Sequence, residues 1–279
     1  MGKVSILDVA DMKLRGEKIA IITAYDYTTA QLADRAGIPM VLVGDSLGMV
    51  VLGYDSTIPV TMEDMLHHAK AVARGVKQSL IVVDLPFMSY QVDAAQGLAN
   101  AGRLMQEGGA HSVKLEGGEK IASTVARIVD AGIPVMGHIG LTPQSVHGLG
   151  GYRVQGRQRE QGEQLIRDAL AQEDAGAYSV VLEVVPSQLA GLIPRQLKIP
   201  TIGIGARPDC DGQVQVSHDL LRAFTDFVPK HVKRYATLAD PTQAAFTQYL
   251  EDVKQGLFPT KVHSISMDEP VFASLETPQ

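Results

Sequence analysis

Six ionisable residues each stand at or just past the end of a short apolar run. They are Asp45 in MVLVGDS, Asp84 in LIVVDLP, Lys114 and Glu116 in HSVKLEGG, His138 in PVMGHIG and Glu183 in YSVVLEVVP. Gathered in one confined space, Asp45, Asp84 and Glu116 repel one another strongly in low dielectric, so they need protons or a cation. Oxygen ligands without thiols suit a hard divalent ion. Mg2+ takes few carboxylates, keeps several waters and leaves room for a substrate. The set therefore predicts a Mg2+ site, or Mn2+ in its place. Any one of these acids alone could equally be a cap or a salt-bridge partner. Glu183 differs from them, because apolar neighbours flank it on both sides. Burial raises a carboxyl pKa and makes Glu183 a candidate general base, the alternative being a Glu paired with an Arg. Lys114 lies two residues before Glu116, so strand alternation puts both on one face. There it is either an anchor for an anionic substrate or a charge balance for the acids. His138 is either a site residue or a satisfied core histidine.

The elements that must carry these groups are visible as a recurring unit. RAGIPMVLVGDS, EGGAHSVKLEGG, DAGIPVMGHIGL and DAGAYSVVLEVV each give a glycine, a short apolar run, then a polar residue. LKIPTIGIGAR keeps the pattern without the leading glycine. The glycine fits the position just past a helix, and the preceding residues carry apolar spacing of three to four. The runs are apolar on successive residues, as in strands covered on both faces of a parallel sheet. Strands are predicted at 19–24, 39–44, 79–84, 111–116, 133–138, 178–184, 199–204 and 213–217. Eight such units in 279 residues predict an α/β fold, a closed (β/α)8 TIM barrel, with an open doubly wound sheet as the alternative. Helices are expected before it (7–15) and after it (240–255). One catalytic domain is expected over 1–262, followed by a polar, mobile tail from His263. Strand C-terminal ends form one mouth in such a barrel, where all six ionisable residues, together with Ser46, would meet. The glycine-rich loop 140–157 is a candidate lid, and GIGA a weak candidate phosphate cradle.

Composition narrows the class. The net charge is −6 and no basic cluster stands out, which argues against nucleic acid. No apolar run is long enough for a bilayer. Asp8 and Asp11 fall where a signal peptide needs apolar residues, so a cytoplasmic protein is expected. The one cysteine, Cys210, has no partner within the chain for a disulfide. His67 and His68 read as surface or packing residues.

Taken together, ITAYDY, LVGDSLGM, DSTIPVT, DLPFMSY, VKLEGG, GHIGLTPQS, GGYRVQGR, VLEVVP, IGIGA and DGQVQV resemble the ketopantoate hydroxymethyltransferase family, over about residues 5 to 264. The resemblance implies a TIM barrel of the phosphoenolpyruvate mutase and isocitrate lyase superfamily, assembled as a homodecamer. It implies transfer of a hydroxymethyl group from 5,10-methylenetetrahydrofolate to 3-methyl-2-oxobutanoate, giving 2-dehydropantoate on the way to pantothenate. By the same resemblance the metal ligands are Asp45, Asp84 and Glu116, the substrate contacts Asp45, Ser46, Asp84 and Lys114, and the proton acceptor Glu183, with His138 as the active-site histidine. Arg207 follows IGIGA where the family pattern usually has glycine, a departure in the loop after the seventh strand. A lyase or mutase of the superfamily would use the same acids without folate. The PVMGHIG segment, though, lacks the cysteine of isocitrate-lyase-like members. A non-enzymatic metal-binding scaffold would have no need of Glu183.

Overall fold

The apolar runs become strands that pair in sequence order and close on themselves. A computed structural model describes residues 2–227 and 229–276. Its strands are β1 (Ile19–Thr23), β2 (Met40–Val43), β3 (Leu80–Asp84), β4 (Ser112–Glu116), β5 (Val135–Gly140), β6 (Ser179–Glu183), β7 (Thr201–Ile204) and β8 (Gly212–Gln215). They form a closed, all-parallel barrel in the order β1 to β8, with β8 pairing back onto β1. The glycines of the recurring unit, Gly37, Gly109, Gly132 and Gly176, all take positive φ just after a helix, which is inexpensive without a Cβ.

Alternation along each strand sorts side chains between the barrel lumen and the helical layer. Ile19, Ile21, Met40, Leu42, Leu80, Val82, Met136, Val181, Ile202 and Val214 form one buried cluster. Val41, Val43, Ile81, Val83, Val113 and Leu115 belong to another, shared with the surrounding helices. The parity that sends Leu80 and Val82 inward also sends Asp84 inward, and it places Lys114, Glu116, His138 and Glu183 in the lumen. Strand register then makes neighbours of them: Asp84 is paired with Lys114 and Glu116 with His138.

Helix Ile6–Leu14 begins with a capping box between Ser5 and Asp8. It adds Val9 to the luminal cluster. Lys13 fixes it by donating to the carbonyls of Leu197 and Ile199 at 3.0 and 2.7 Å and by pairing with Asp211 at 3.1 Å. The outer helices include Tyr27–Arg35, Met62–Gly75, Ala94–Gln106, Ala122–Asp130, Arg159–Asp174 and Ser187–Leu192. The alternation of strand and helix lapses once. Residues 205–211 cross from β7 to β8 as turns, because seven residues including Pro208 are too few for a helix to return along the barrel. The helix expected over 240–255 runs Ala239–Lys254 and buries none of its residues. Within the segment read as a polar tail, Glu269–Glu276 is helical. No helix among the described residues is long and apolar enough to cross a membrane.

Candidate active site

The mouth of the barrel opens onto a cavity of about 880 Å3, lined by Asp45, Ser46, Asp84, Lys114, Glu116, His138 and Glu183 together. All seven residues singled out from the sequence therefore share one space. Asp45, Asp84, Lys114, Glu116 and His138 are each no more than 6% exposed. Ser46 sits in the turn after β2, its Oγ 2.8 Å from the Tyr25 hydroxyl.

Lys114 is the cation that β4 sets beside these acids, and its strand register explains its contacts. Its Nζ lies 3.0 Å from Asp84 Oδ1 and 3.2 Å from His138 Nδ1. Burial opposes its charge, but Asp84, Glu116 and Asp45 raise its pKa above the ordinary lysine value. Lys114 therefore stays an ammonium and donates to Nδ1, which leaves the His138 proton on Nε2. Burial, with the nearby ammonium, holds His138 well below its usual value, so the ring is neutral. His138 Nε2 lies 3.2 Å from Glu183 Oε2, out of hydrogen-bonding alignment, and has no other partner.

The carboxylates perturb one another. Burial pushes Asp45 upward, and the charge of Asp84 adds to it; burial and the charge of Asp45 do the same to Glu116. Burial raises Glu183 to about 7, with Lys114 and His231 opposing. A carboxylate poised there can hold a proton or release it at neutral pH.

The structure adds residues to which the sequence reading gave no role. Gln144, in the 3-10 turn Pro143–Ser145, is buried between two of the acids. Its Nε2 donates to Asp45 Oδ2 and to the Leu85 carbonyl, both at 2.9 Å, and its backbone N–H donates to Glu116 Oε2 at 3.0 Å. Its Oε1 accepts from the Tyr90 hydroxyl at 2.8 Å and from Gln91 at 3.0 Å. Tyr90 in turn accepts from the Glu116 backbone N–H at 3.1 Å. The Asp45 backbone N–H donates to Asp84 Oδ2 at 3.1 Å. Gln144 is wedged between Asp45 and Glu116, and among the described residues no three His, Cys, Asp or Glu side chains stand so as to hold a metal ion. The donor set still fits a hard divalent cation. It is all oxygen, it is buried, and three carboxylates face one ammonium. Asp84 Oδ1 also has no donor aligned on it for a hydrogen bond.

Four residues of the glycine-rich loop reach this mouth. Leu141, Pro143, Tyr152 and Val154 line the cavity, and the Tyr152 hydroxyl reaches Met49 Sδ at 3.6 Å. Gly205 of GIGA packs against His231, which would lie 2.9 Å from a Cβ at that position, so close packing accounts for this glycine. Arg207 is not among the residues lining the cavity; it is half-exposed and pairs with Asp209 at 3.8 Å.

The sequence model of the family described as ketopantoate hydroxymethyltransferase matches residues 3–261. The chain belongs to the ketopantoate hydroxymethyltransferase family. It is an enzyme of that family, a hydroxymethyltransferase. A 3-methyl-2-oxobutanoate hydroxymethyltransferase of Dehalococcoides mccartyi (strain CBDB1) is 57% identical over 274 residues, covering 98% of each chain. One from Moorella thermoacetica is 58% identical over 262 residues, 94% of this chain and 97% of the other. Among solved structures, 2,3-dimethylmalate lyase, a member of the PEP mutase/isocitrate lyase superfamily, superimposes with a TM-score of 0.60 at 14% identity, covering 99% of this chain and 95% of that one. Phosphonopyruvate hydrolase does so with the same TM-score and identity, over 99% and 96%. These structural neighbours share the barrel fold of this chain.

Proposed function

We propose that the protein transfers a hydroxymethyl group from 5,10-methylenetetrahydrofolate to 3-methyl-2-oxobutanoate, giving 2-dehydropantoate, with Mg2+ held by Asp45, Asp84 and Glu116. The observation that carries this reading is Glu183, raised to about 7 in the same cavity as the three acids and Lys114. The family and the named relatives point to the same acceptor. When bound, Mg2+ supplies Lewis-acid polarisation of the keto group, which acidifies the neighbouring C3–H.

Glu183 removes the C3 proton of the keto acid and leaves an enolate. Lys114, an ammonium throughout, anchors the substrate carboxylate and balances the charge that builds on the enolate oxygen. Ser46, held by Tyr25, contacts the substrate beside Asp45. Neutral His138 holds its Nε2 3.2 Å from Glu183 Oε2, near enough to donate to the carboxylate once the ring turns into line. Enolate C3 attacks the methylene carbon of the folate iminium, forming a C–C bond as the C=N π electrons move to nitrogen. Water then takes the place of that nitrogen on the methylene carbon. The C–N bond breaks, the nitrogen gains a proton, and tetrahydrofolate and the hydroxymethylated product leave. Loop 140–157 excludes bulk water while the enolate exists. The working form is a cytoplasmic homodecamer that engages neither nucleic acid nor membrane.

The test is turnover of the two substrates with Mg2+, followed by the appearance of 2-dehydropantoate. Activity is expected to vanish in EDTA and to return with Mg2+ or Mn2+. Full turnover in EDTA refutes the metal assignment.

A further inference from the structure

The acid cluster occupies only part of the barrel mouth. It comes from β2 through β6, whereas the rim after β8, which lies opposite β4 in an eight-strand ring, has been given no task. On that rim stands Asp219, in the short helix Ser217–Leu220. It is 6% exposed and lines the same cavity as Glu183 and Lys114. Its carboxylate accepts no hydrogen bond from any described residue, and the Thr23–Ser217 and Tyr25–Ser46 contacts nearby leave it out. The residue is packed against the barrel while its carboxylate keeps contact with the open cavity, where a ligand's donors can reach it. Burial lifts it to about 6, with Arg234 opposing from a distance. Above that pH it is an ionised acceptor facing the cavity.

The chemistry of such a group selects its ligand. It repels the carboxylate of a keto acid, so it does not serve the acceptor. A carboxylate binds best to two adjacent N–H donors, which it engages with both oxygens. The pterin ring of a folate carries that pair, N3–H and the 2-amino group, along one edge. Phe224, half-buried in the same cavity wall, offers a flat apolar face of the kind on which an aromatic bicycle packs. A cavity of about 880 Å3 has room for a small keto acid at the acid cluster and a bicyclic ring on the far rim.

We infer that Asp219 is the recognition site for the amidine edge of the pterin, holding the one-carbon donor on the β8 side of the mouth with its methylene carbon toward the acid cluster. This rests on the donor assignment proposed above.

The experiment is titration calorimetry of the full-length protein with tetrahydrofolate and with its 2-desamino-2-methyl analogue, which lacks one of the paired donors. 3-Methyl-2-oxobutanoate with Mg2+ is titrated into the same preparations. Loss of a charge-assisted donor pair is expected to weaken tetrahydrofolate binding by roughly 10- to 100-fold in Asp219→Asn. Keto acid affinity is expected to move less than twofold. The wild type is expected to bind the analogue more weakly than tetrahydrofolate by a similar factor, and Asp219→Asn to lose that preference. Equal binding of tetrahydrofolate by Asp219→Asn and wild type overturns the inference. So does equal binding of the two ligands by the wild type, a result independent of how the variant folds. A wild type that binds no tetrahydrofolate overturns the donor assignment itself, and this inference with it.

Discussion

Gln144→Ala separates the support of the acid cluster from the cluster itself. The substitution removes the 2.9 Å donation to Asp45 and leaves the Leu85 carbonyl without its donor. A hydrogen bond to a charged group is worth about 1.5–3 kcal/mol, and a buried carbonyl left unpaired costs about 1–3 kcal/mol. Together these predict a loss of roughly 2.5–6 kcal/mol in the stability of the metal-free protein, read from urea unfolding. The Glu116 contact comes from the Gln144 backbone N–H and survives the change. Only Asp45 is released, and partners that orient a ligating carboxylate typically contribute about 10- to 100-fold in metal affinity. Mn2+ binding followed by electron paramagnetic resonance should weaken by that factor. Gln144→Glu keeps the size and the acceptor for Tyr90 but sets another carboxylate against Asp45, so its metal-free form should be less stable still at pH 8 than at pH 5. Mn2+ affinity within twofold of wild type in a destabilised Gln144→Ala would show that Gln144 packs the loop without positioning Asp45.

Three further outcomes follow from local geometry. Gly140 has φ +94°, and a Cβ there would lie 2.4 Å from the Glu183 carbonyl oxygen. Gly140→Ala should shift the end of β6 and reduce both thermal stability and turnover, and unchanged turnover would show that Glu183 tolerates displacement. Asp34 is buried, which raises its pKa, but donation from the N–H groups of Ser79, Gln78 and Lys77 and from the Ser79 hydroxyl outweighs burial and leaves it lowered. Its stabilisation is therefore full above about pH 4 and lost as pH falls through the lower folded value; Asp34→Asn should cost about 1.5–3 kcal/mol at pH 7 and show a shallower acid limb. Glu183 has the opposite sign: its folded value is raised to about 7, so its contribution is lost as pH rises through 7. Glu183→Gln should be more stable than wild type at pH 8 in thermal unfolding, with the gap closing toward pH 5.

The barrel was legible because parallel strands under helices leave uninterrupted apolar runs. All eight fall within two residues of their expected ends, and the Lys114–Glu116 alternation correctly placed both in the lumen. The missing helix between β7 and β8 was less visible, since the count of repeating units hides a connection of seven residues. The charged site residues could be found one at a time, because each interrupts an apolar run. Gln144 and Tyr90 could not. Their roles arise from loop conformation, where one amide meets two acids from different strands, and no spacing in TPQS or FMSY encodes that meeting. Asp219 was hidden for a related reason. SHDLLRAF reads as an ordinary capped turn of helix, and only closure of β8 onto β1 brings its carboxylate over the mouth.

The most direct measurement is proton exchange at C3 of 3-methyl-2-oxobutanoate in deuterated water, followed by NMR with Mg2+ and without folate. The wild type is predicted to exchange this hydrogen, faster as pH rises to about 7 and level above it. Glu183→Gln, retaining keto acid binding, is predicted to be slower by about 10^2- to 10^4-fold. Exchange at the wild-type rate in that variant would contradict the account, because proton removal would then belong to another group.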